Sequence, residues 1–313
     1  MLISWRSTIP NLGTGAGAKL VVVLIVTKTT NYELHGALIE SKVNHGLVAR
    51  DSLTRLKQAH GEHYETLSRL RTALAAAGLA WDEVSRDFPR PWSKSYDLVI
   101  TVGGDGTLLA ASHQLAHGGL IAGVRSSTLS VGYLCTAGTD AVEPLVQAIA
   151  TSRLKSSVVH RLKARVKRID VGDEIETTPV LNDFLYANAN PAATTRYRLR
   201  YGDKEEVHRS SGIWVATATG STAAILAAGG ERRPPDDALY QYRVRELYKF
   251  DLGSPEIEGG LFDPSQTVLE IENRCPAAIL ATDGQHGVID LVYGDRISFA
   301  AAAPINLVRG WHD

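Results

Sequence analysis

The sequence predicts an α/β domain followed by a β-rich domain, and three observations carry that prediction. Apolar runs of the buried-strand type alternate with helical patterns as far as about residue 155. Beyond it the texture turns to short strand-like runs separated by turns. A Gly-rich loop, Gly103-Gly104-Asp105-Gly106-Thr107, sits between an apolar run and a helix-like run. The expected architecture is a Rossmann-like α/β domain over 19–155 and a β-sandwich-like domain over 156–313, the last strand being a candidate to return to the first domain. Met1 to Ala18 reads as a flexible, Gly-rich extension.

The elements follow in order. Leu20 to Val26 (LVVVLIV) is the continuous apolar run of a strand buried on both faces. Tyr64 to Leu79 carries Leu67, Leu70, Leu74 and Ala77 at helical spacing, with Gly78 as a stop. Asp97 to Val102 and Leu120 to Val124 are two further buried strands, and Thr107 to His117 is the helix between them. Asp140 to Ile149 is a helix with Thr139 or Asp140 as its cap. Strands are then expected at Val158–Val171, Pro179–Ala187, Arg196–Tyr201 and Gly212–Thr217. One short helix, Ser221 to Ala228, ends at Gly229-Gly230. The charged, Pro- and Gly-rich segment Glu231 to Pro264 reads as a long surface excursion. Strands resume at Val268–Glu272, Ala278–Thr282, Gly287–Val292, Arg296–Ala301 and Ile305–Arg309.

Composition narrows the function classes. Hydrophobic residues at 44% and charged residues at 21% fit a globular chain. A formal net charge of -1 gives no global field toward nucleic acid or an acidic membrane, so neither is expected as a partner. No apolar run has the length of a bilayer span. The two cysteines, Cys135 and Cys275, form no CxxC pair, and a reducing, cytoplasmic setting is the expectation.

Four motifs carry chemistry. In Gly103-Gly104-Asp105-Gly106-Thr107, glycines let backbone amides approach a phosphate, and the following helix adds its dipole. The plain reading is a tight turn with Asp105 as cap. Thr217-Ala-Thr-Gly-Ser-Thr-Ala-Ala224 opens a helix with small and hydroxyl residues that can meet ribose or phosphate oxygens. Asn182-Asp183, after Leu181, pairs an amide with a carboxylate, a set able to read adenine or ribose. Asp283-Gly284-Gln285 is by itself a hairpin turn. Arg161, Arg165 and Lys167 alternate on one strand, as a solvated face or a phosphate-facing one; His113 reads as a packed or surface histidine.

In this order, GGDGT, LND, TGSTA with a trailing GG, and DGQ, the chain resembles the NAD kinase family, from about Leu20 onward. Ser210-Ser211-Gly212, Asn190-Pro-Ala-Ala193 and Tyr242-Arg-Val-Arg-Glu246 make it most similar to the NADH-kinase-like branch. The resemblance implies phosphorylation of the adenosine ribose 2'-hydroxyl of NAD or NADH by ATP, with Mg2+ arriving on the ATP, and a homodimer or homotetramer. It implies Asp105 as the catalytic carboxylate, with Gly103, Gly104, Gly106 and Thr107 at the ATP phosphates. Asn182 and Asp183 would hold the dinucleotide, with Thr219 also binding it, Thr222 and Ala223 would line its adenine side, and Asp283 would sit near the reacting ribose. Ser211, Ala224 and Arg125 depart from the common family pattern. Two other readings stay open: a lipid kinase of the diacylglycerol or sphingosine type, which shares GGDGT, and a nucleotide-binding sensor without catalysis.

Overall fold

The computed structural model describes residues 21–88, 90–249, 255–284 and 286–312. The expected extension over 1–18 and Gln285 of the DGQ motif lie outside the described residues. The chain divides into two compact units. One holds the residues up to Gly104, Ala122–Lys155 and those from Val308 onward; the other holds Asp105–Ile121 and Ser156–Leu307.

The first unit is an α/β layer. β1 (Val22–Thr27) is followed by α1 (Asn31–Asn44), α2 (Arg50–Ala76), β2 (Ala80–Ser85) and β3 (Leu98–Gly103). The helix α3 (Asp105–Ser112) opens the second unit, and the chain returns through β4 (Leu120–Arg125), β5 (Ala137–Gly138) and α4 (Val142–Ala150). β1 lies parallel between β2 and β3, with Ile25 opposite Glu83 on one side and Ile100 on the other. Val23 to Val26 and all of β3 are buried, as their unbroken apolar character predicts. Leu67, Leu70 and Leu74 form the buried stripe of α2. That helix ends at Gly78, whose φ of +68° lets Leu79 N–H turn back onto Leu74 O at 3.0 Å.

The second unit is a β-sandwich. Its strands are β6 (Leu154–Lys167), β7 (Glu174–Glu176), β8 (Asp183–Asn188), β9 (Thr195–Tyr201), β10 (Lys204–Ser210) and β11 (Gly212–Ala216). After the one-turn α5 (Ala224–Ala227) come β12 (Tyr240–Arg245), β13 (Gly259–Phe262), β14 (Leu269–Asn273), β15 (Ala278–Thr282), β16 (Gly287–Leu291) and β17 (Arg296–Trp311). One sheet is antiparallel in the order β13-β12-β11-β8-β15-β16; the facing one runs β10-β9-β14-β17. Alternate side chains of both fill one core, among them Phe184 and Tyr186, Tyr197 and Leu199, Ile213 and Val215, and Ile271 and Ile297.

The structure corrects several expectations. The segment Glu231 to Pro264 is not a surface excursion: it contains β12 and β13, and Tyr240, Tyr242 and Val244 bury their side chains in the sandwich core. Arg243 and Arg245 on the other face gave this stretch its polar look. α1, β2 and β10 were not expected; α1 buries only Gly36 and so shows no apolar stripe. α2 begins at Arg50 rather than Tyr64. α3 stops at Ser112 rather than His117, because Gln114 and Leu115 N–H turn onto the carbonyls of Ala111 and Ser112, three residues back. The short helix is broken at Ala223, between a 3-10 turn (Thr219–Thr222) and α5. The last two expected strands are one strand, β17. Neither Thr139 nor Asp140 caps α4 through its side chain.

Candidate active site

Three of the four motifs converge within the sandwich unit. β8 begins at Asp183, β11 runs beside it into Thr217, and β15 ends in the Asp283-Gly284 turn. Asp283 has a φ of +43°, which an aspartate tolerates better than most side chains, and Gly284 follows at +77°. That twist aims the Asp283 carboxylate back at the strand start. Its Oδ1 accepts from the N–H of Asn182 at 2.7 Å and of Asp183 at 3.1 Å. Its Oδ2 accepts from the N–H of Leu181 at 3.0 Å and from His113 Nε2 at 2.8 Å. Asp283 N–H in turn donates to Asp183 O at 2.9 Å. The side chain is fully enclosed, so its lone pairs serve the protein itself.

The TGSTA turn closes on the same backbone. Thr217 N–H donates to Asn182 O at 2.9 Å, and Thr217 Oγ1 accepts from Gly220 N–H at 3.1 Å. Gly220 is required here by space: a Cβ on it would stand 2.2 Å from Asn182 O. Thr219 is buried, while Thr222 is exposed and Ala223 half-buried on the open side of that turn. Burial, then the nearby Asp283, pushes the Asp183 carboxyl up to about 7. Burial thus keeps Asp183 neutral over a wider pH range than a free carboxyl.

α3 contributes from its two ends. Asp105 lies in its first turn, where a negative charge suits the helix dipole. His113 follows its last residue and reaches Asp283, with the His286 ring edge-on at 5.8 Å between centroids. Asp105 and His113 are eight positions apart, a rise of about 12 Å along a helix axis. The GGDGT stretch itself is divided along the chain: Gly103 ends β3 and Gly104 follows it in the first unit, and Asp105, Gly106 and Thr107 open α3 in the second. Among the described residues no three His, Cys, Asp or Glu side chains cluster as a metal site.

The arginines resolve differently from one another. Arg161 is neither solvated nor phosphate-facing. It is buried and donates to Ser112 O at 2.6 Å, Leu115 O at 3.0 Å and Ala303 O at 2.8 Å, so it anchors the C-terminal end of α3. Burial alone lowers its pKa to about 10. Arg165 pairs with Glu176 on the open strand face, and Lys167 is exposed there. Sequence reasoning placed Leu181 and Thr217 in their motifs but not the backbone contacts that join them, read Arg161 as solvated or phosphate-facing, and missed the carboxylate partner of His113. The 170 residues between His113 and Asp283 leave no local signal.

With an α/β unit and a β-sandwich unit of this kind, the chain falls in a class of nucleotide-dependent kinases, as its relatives show. Residues 23–154 match the ATP-NAD kinase N-terminal domain family. A probable NADH kinase of Oryza sativa subsp. japonica is 31% identical over 266 residues, 78% of this chain and 80% of that protein. The fold is similar to that of a yeast NADH kinase complexed with NADH, with a TM-score of 0.69 at 18% identity over 93% of this chain and 84% of that one. It is also similar to an NAD kinase from Archaeoglobus fulgidus in complex with ATP, with a TM-score of 0.62 at 19% identity over 92% and 93%. The chain belongs to the NAD kinase family, on the side of its NADH kinases.

Proposed function

We propose that this chain transfers the terminal phosphoryl group of ATP to the adenosine ribose 2'-hydroxyl of NAD or NADH, giving NADP or NADPH. The observation that carries the reading is the convergence of LND, TGSTA and the Asp283 turn on one stretch of backbone, Leu181 to Asp183. This leaves the Asn182 and Asp183 side chains to serve a ligand. Family membership supports the activity, and the lipid-kinase and sensor readings are not favoured.

In this reading Asn182 and Asp183 take ribose hydroxyls, Thr219 also binds the dinucleotide, and Thr222 and Ala223 line the adenine side. Asp283 acts as the scaffold that sets the strand start near the reacting ribose. A ribose hydroxyl is a weak nucleophile at neutral pH, so Asp105 orients it and accepts its proton. Gly103, Gly104, Gly106 and Thr107 offer amides and a hydroxyl to the ATP phosphates. Magnesium would come bound to ATP and neutralise phosphate charge. The same proposal includes a cytoplasmic homodimer or homotetramer with no nucleic-acid or membrane partner; the near-zero net charge is consistent with it.

The test is a coupled assay. The purified chain with ATP, magnesium and NAD or NADH should yield NADP or NADPH, read by a dehydrogenase that accepts only the phosphorylated cofactor. No product from either dinucleotide would overturn the proposal, and side-by-side kinetics would rank the two.

A further inference from the structure

Within the first unit, helix α2 grips the segment that follows β4 at two consecutive residues. Glu62 Oε2 accepts from Thr128 N–H at 2.8 Å, and Glu62 Oε1 accepts from Thr128 Oγ1 at 3.0 Å. Gln58 Nε2 supports the same Oε1 at 2.8 Å. The buried His63 ring spans Thr27 Oγ1 at 3.0 Å and Ser126 Oγ at 2.9 Å, tying the end of β1 to the start of the segment. Ser126 N–H then donates to Gly103 O at 3.0 Å. At the far end of the segment, Ser130 Cβ stands 3.6 Å from where a Cβ on Gly104 would be. Residues 126–130 therefore flank both glycines that open the GGDGT motif.

The other side of the segment is a wall. A cavity of about 440 Å³ is lined by Ser127 and Ser130 together with Lys28, Thr30 and Arg55, beside the apolar Leu56, Ala59 and Leu129. Two cations and three hydroxyls make a lining suited to phosphate oxygens. Ser130 stands beside Gly104 and also lines this cavity, together with Ser127 and Leu129 of the same segment, so whatever fixes the segment bears on both.

We propose that Glu62 is a positioning residue for the phosphate donor: by holding Thr128 it sets residues 126–130 against Gly103-Gly104 and against the Lys28–Arg55 cavity. This rests on the reading that those glycines meet the phosphates of ATP. Glu62 touches no substrate; it acts through the segment. Burial works against its charge, but hydrogen bonds from Gln58, Ser127 and Thr128 outweigh that and hold its pKa near 2. The grip is thus intact throughout the neutral range.

The experiment compares Glu62→Ala, Glu62→Gln and Thr128→Ala, with Arg69→Ala as a control that removes an exposed ion pair to Glu143 from the same helix. KM for ATP, KM for NADH, kcat and melting temperature are measured on the full chain, and ATP binding is measured separately by calorimetry. Loss of charge-assisted hydrogen bonds of this kind should raise the KM and Kd for ATP by about five- to tenfold in Glu62→Ala. Glu62→Gln should fall between it and wild type, and the Arg69 control should match wild type. KM for NADH should stay within about twofold, since the segment is placed at the donor and not at the acceptor. Thr128→Ala on top of Glu62→Ala should add little, since the two share one interaction. Unchanged ATP affinity in Glu62→Ala, or both KM values rising together with a fall in melting temperature, would overturn the assignment. Wild-type protein that binds ATP but makes no NADP(H) would sink the proposed function alone; the calorimetric comparison still decides the role of Glu62. Wild-type protein that binds no ATP overturns both.

Discussion

His113 Nε2 lies 2.8 Å from Asp283 Oδ2, a side-chain link between the residue after α3 and the turn that shapes the start of β8. The same carboxylate takes three backbone N–H groups, so it is a node on which several chain segments depend. Asp283→Asn keeps the size and the tolerance of positive φ but cannot accept from all four donors. It should lower stability by about 1–3 kcal/mol, the cost of leaving buried donors unpaired. Urea unfolding checks this, and dinucleotide affinity should fall in parallel. A variant as stable as wild type would show that the amides find other partners.

Asp105→Asn isolates the proposed proton acceptor. General-base contributions run to about 10²–10⁴ in rate, so kcat should fall by that order while ATP and dinucleotide binding persist. Stopped-time assays with calorimetric binding check both halves. Near-normal turnover would remove Asp105 from the chemistry.

Asp183 makes stability depend on pH in an uncommon direction. Its folded pKa is raised to about 7 from the 3.8 of an unperturbed carboxyl. The unfolded chain therefore releases this proton first, and the group's favourable contribution is complete below about pH 4 and lost as pH rises through about 7. Asp183→Asn should match wild type near pH 4 and be more stable above pH 7, by an amount on the order of 2–4 kcal/mol. Unfolding curves across that range check the sign. Dinucleotide binding by donated ribose hydroxyls would favour the charged form, so wild type should release protons on binding near pH 6. Calorimetry in buffers of different ionisation enthalpy reads that release, and Asp183→Asn should abolish it.

Gly220→Ala tests the packing of the TGSTA turn on the LND backbone. The new Cβ would lie 2.2 Å from Asn182 O and 2.6 Å from its carbonyl carbon, both backbone atoms that cannot swing aside. Overpacking of this kind costs about 1–3 kcal/mol. The accompanying shift of Asn182 should raise the dinucleotide KM more than the ATP KM. Equal effects on the two would argue that the turn does not face the acceptor.

What the sequence made legible follows from where information is stored. Val23 to Val26 and Leu98 to Val102 announce themselves because a strand buried on both faces has no polar residue to dilute it. α1 buries nothing but a glycine, so periodicity was silent, although its capping box, Thr30 with Glu33, was present to be read. β12 was hidden by arginines that alternate with its core tyrosines. The motifs fall on loops at strand ends, and a Gly-rich strand-to-helix junction is a local pattern that a sequence can carry. The framework that joins them was not legible. It depends on the positive φ of Asp283, on a histidine 170 residues away, and on Arg161, whose inward turn alternation alone does not distinguish from an outward one.

The partition of the chain has a consequence for how the protein is made. Residues from Val308 onward count with the first unit, where Thr136 Oγ1 donates to Val308 O and His312 N–H donates to Arg153 O at 3.0 Å. During synthesis the α/β unit cannot be completed when residue 155 leaves the ribosome; it waits for the whole sandwich to be translated. A fragment ending near 155 should therefore be a poor expression product, exposed to proteases in a way the full chain is not.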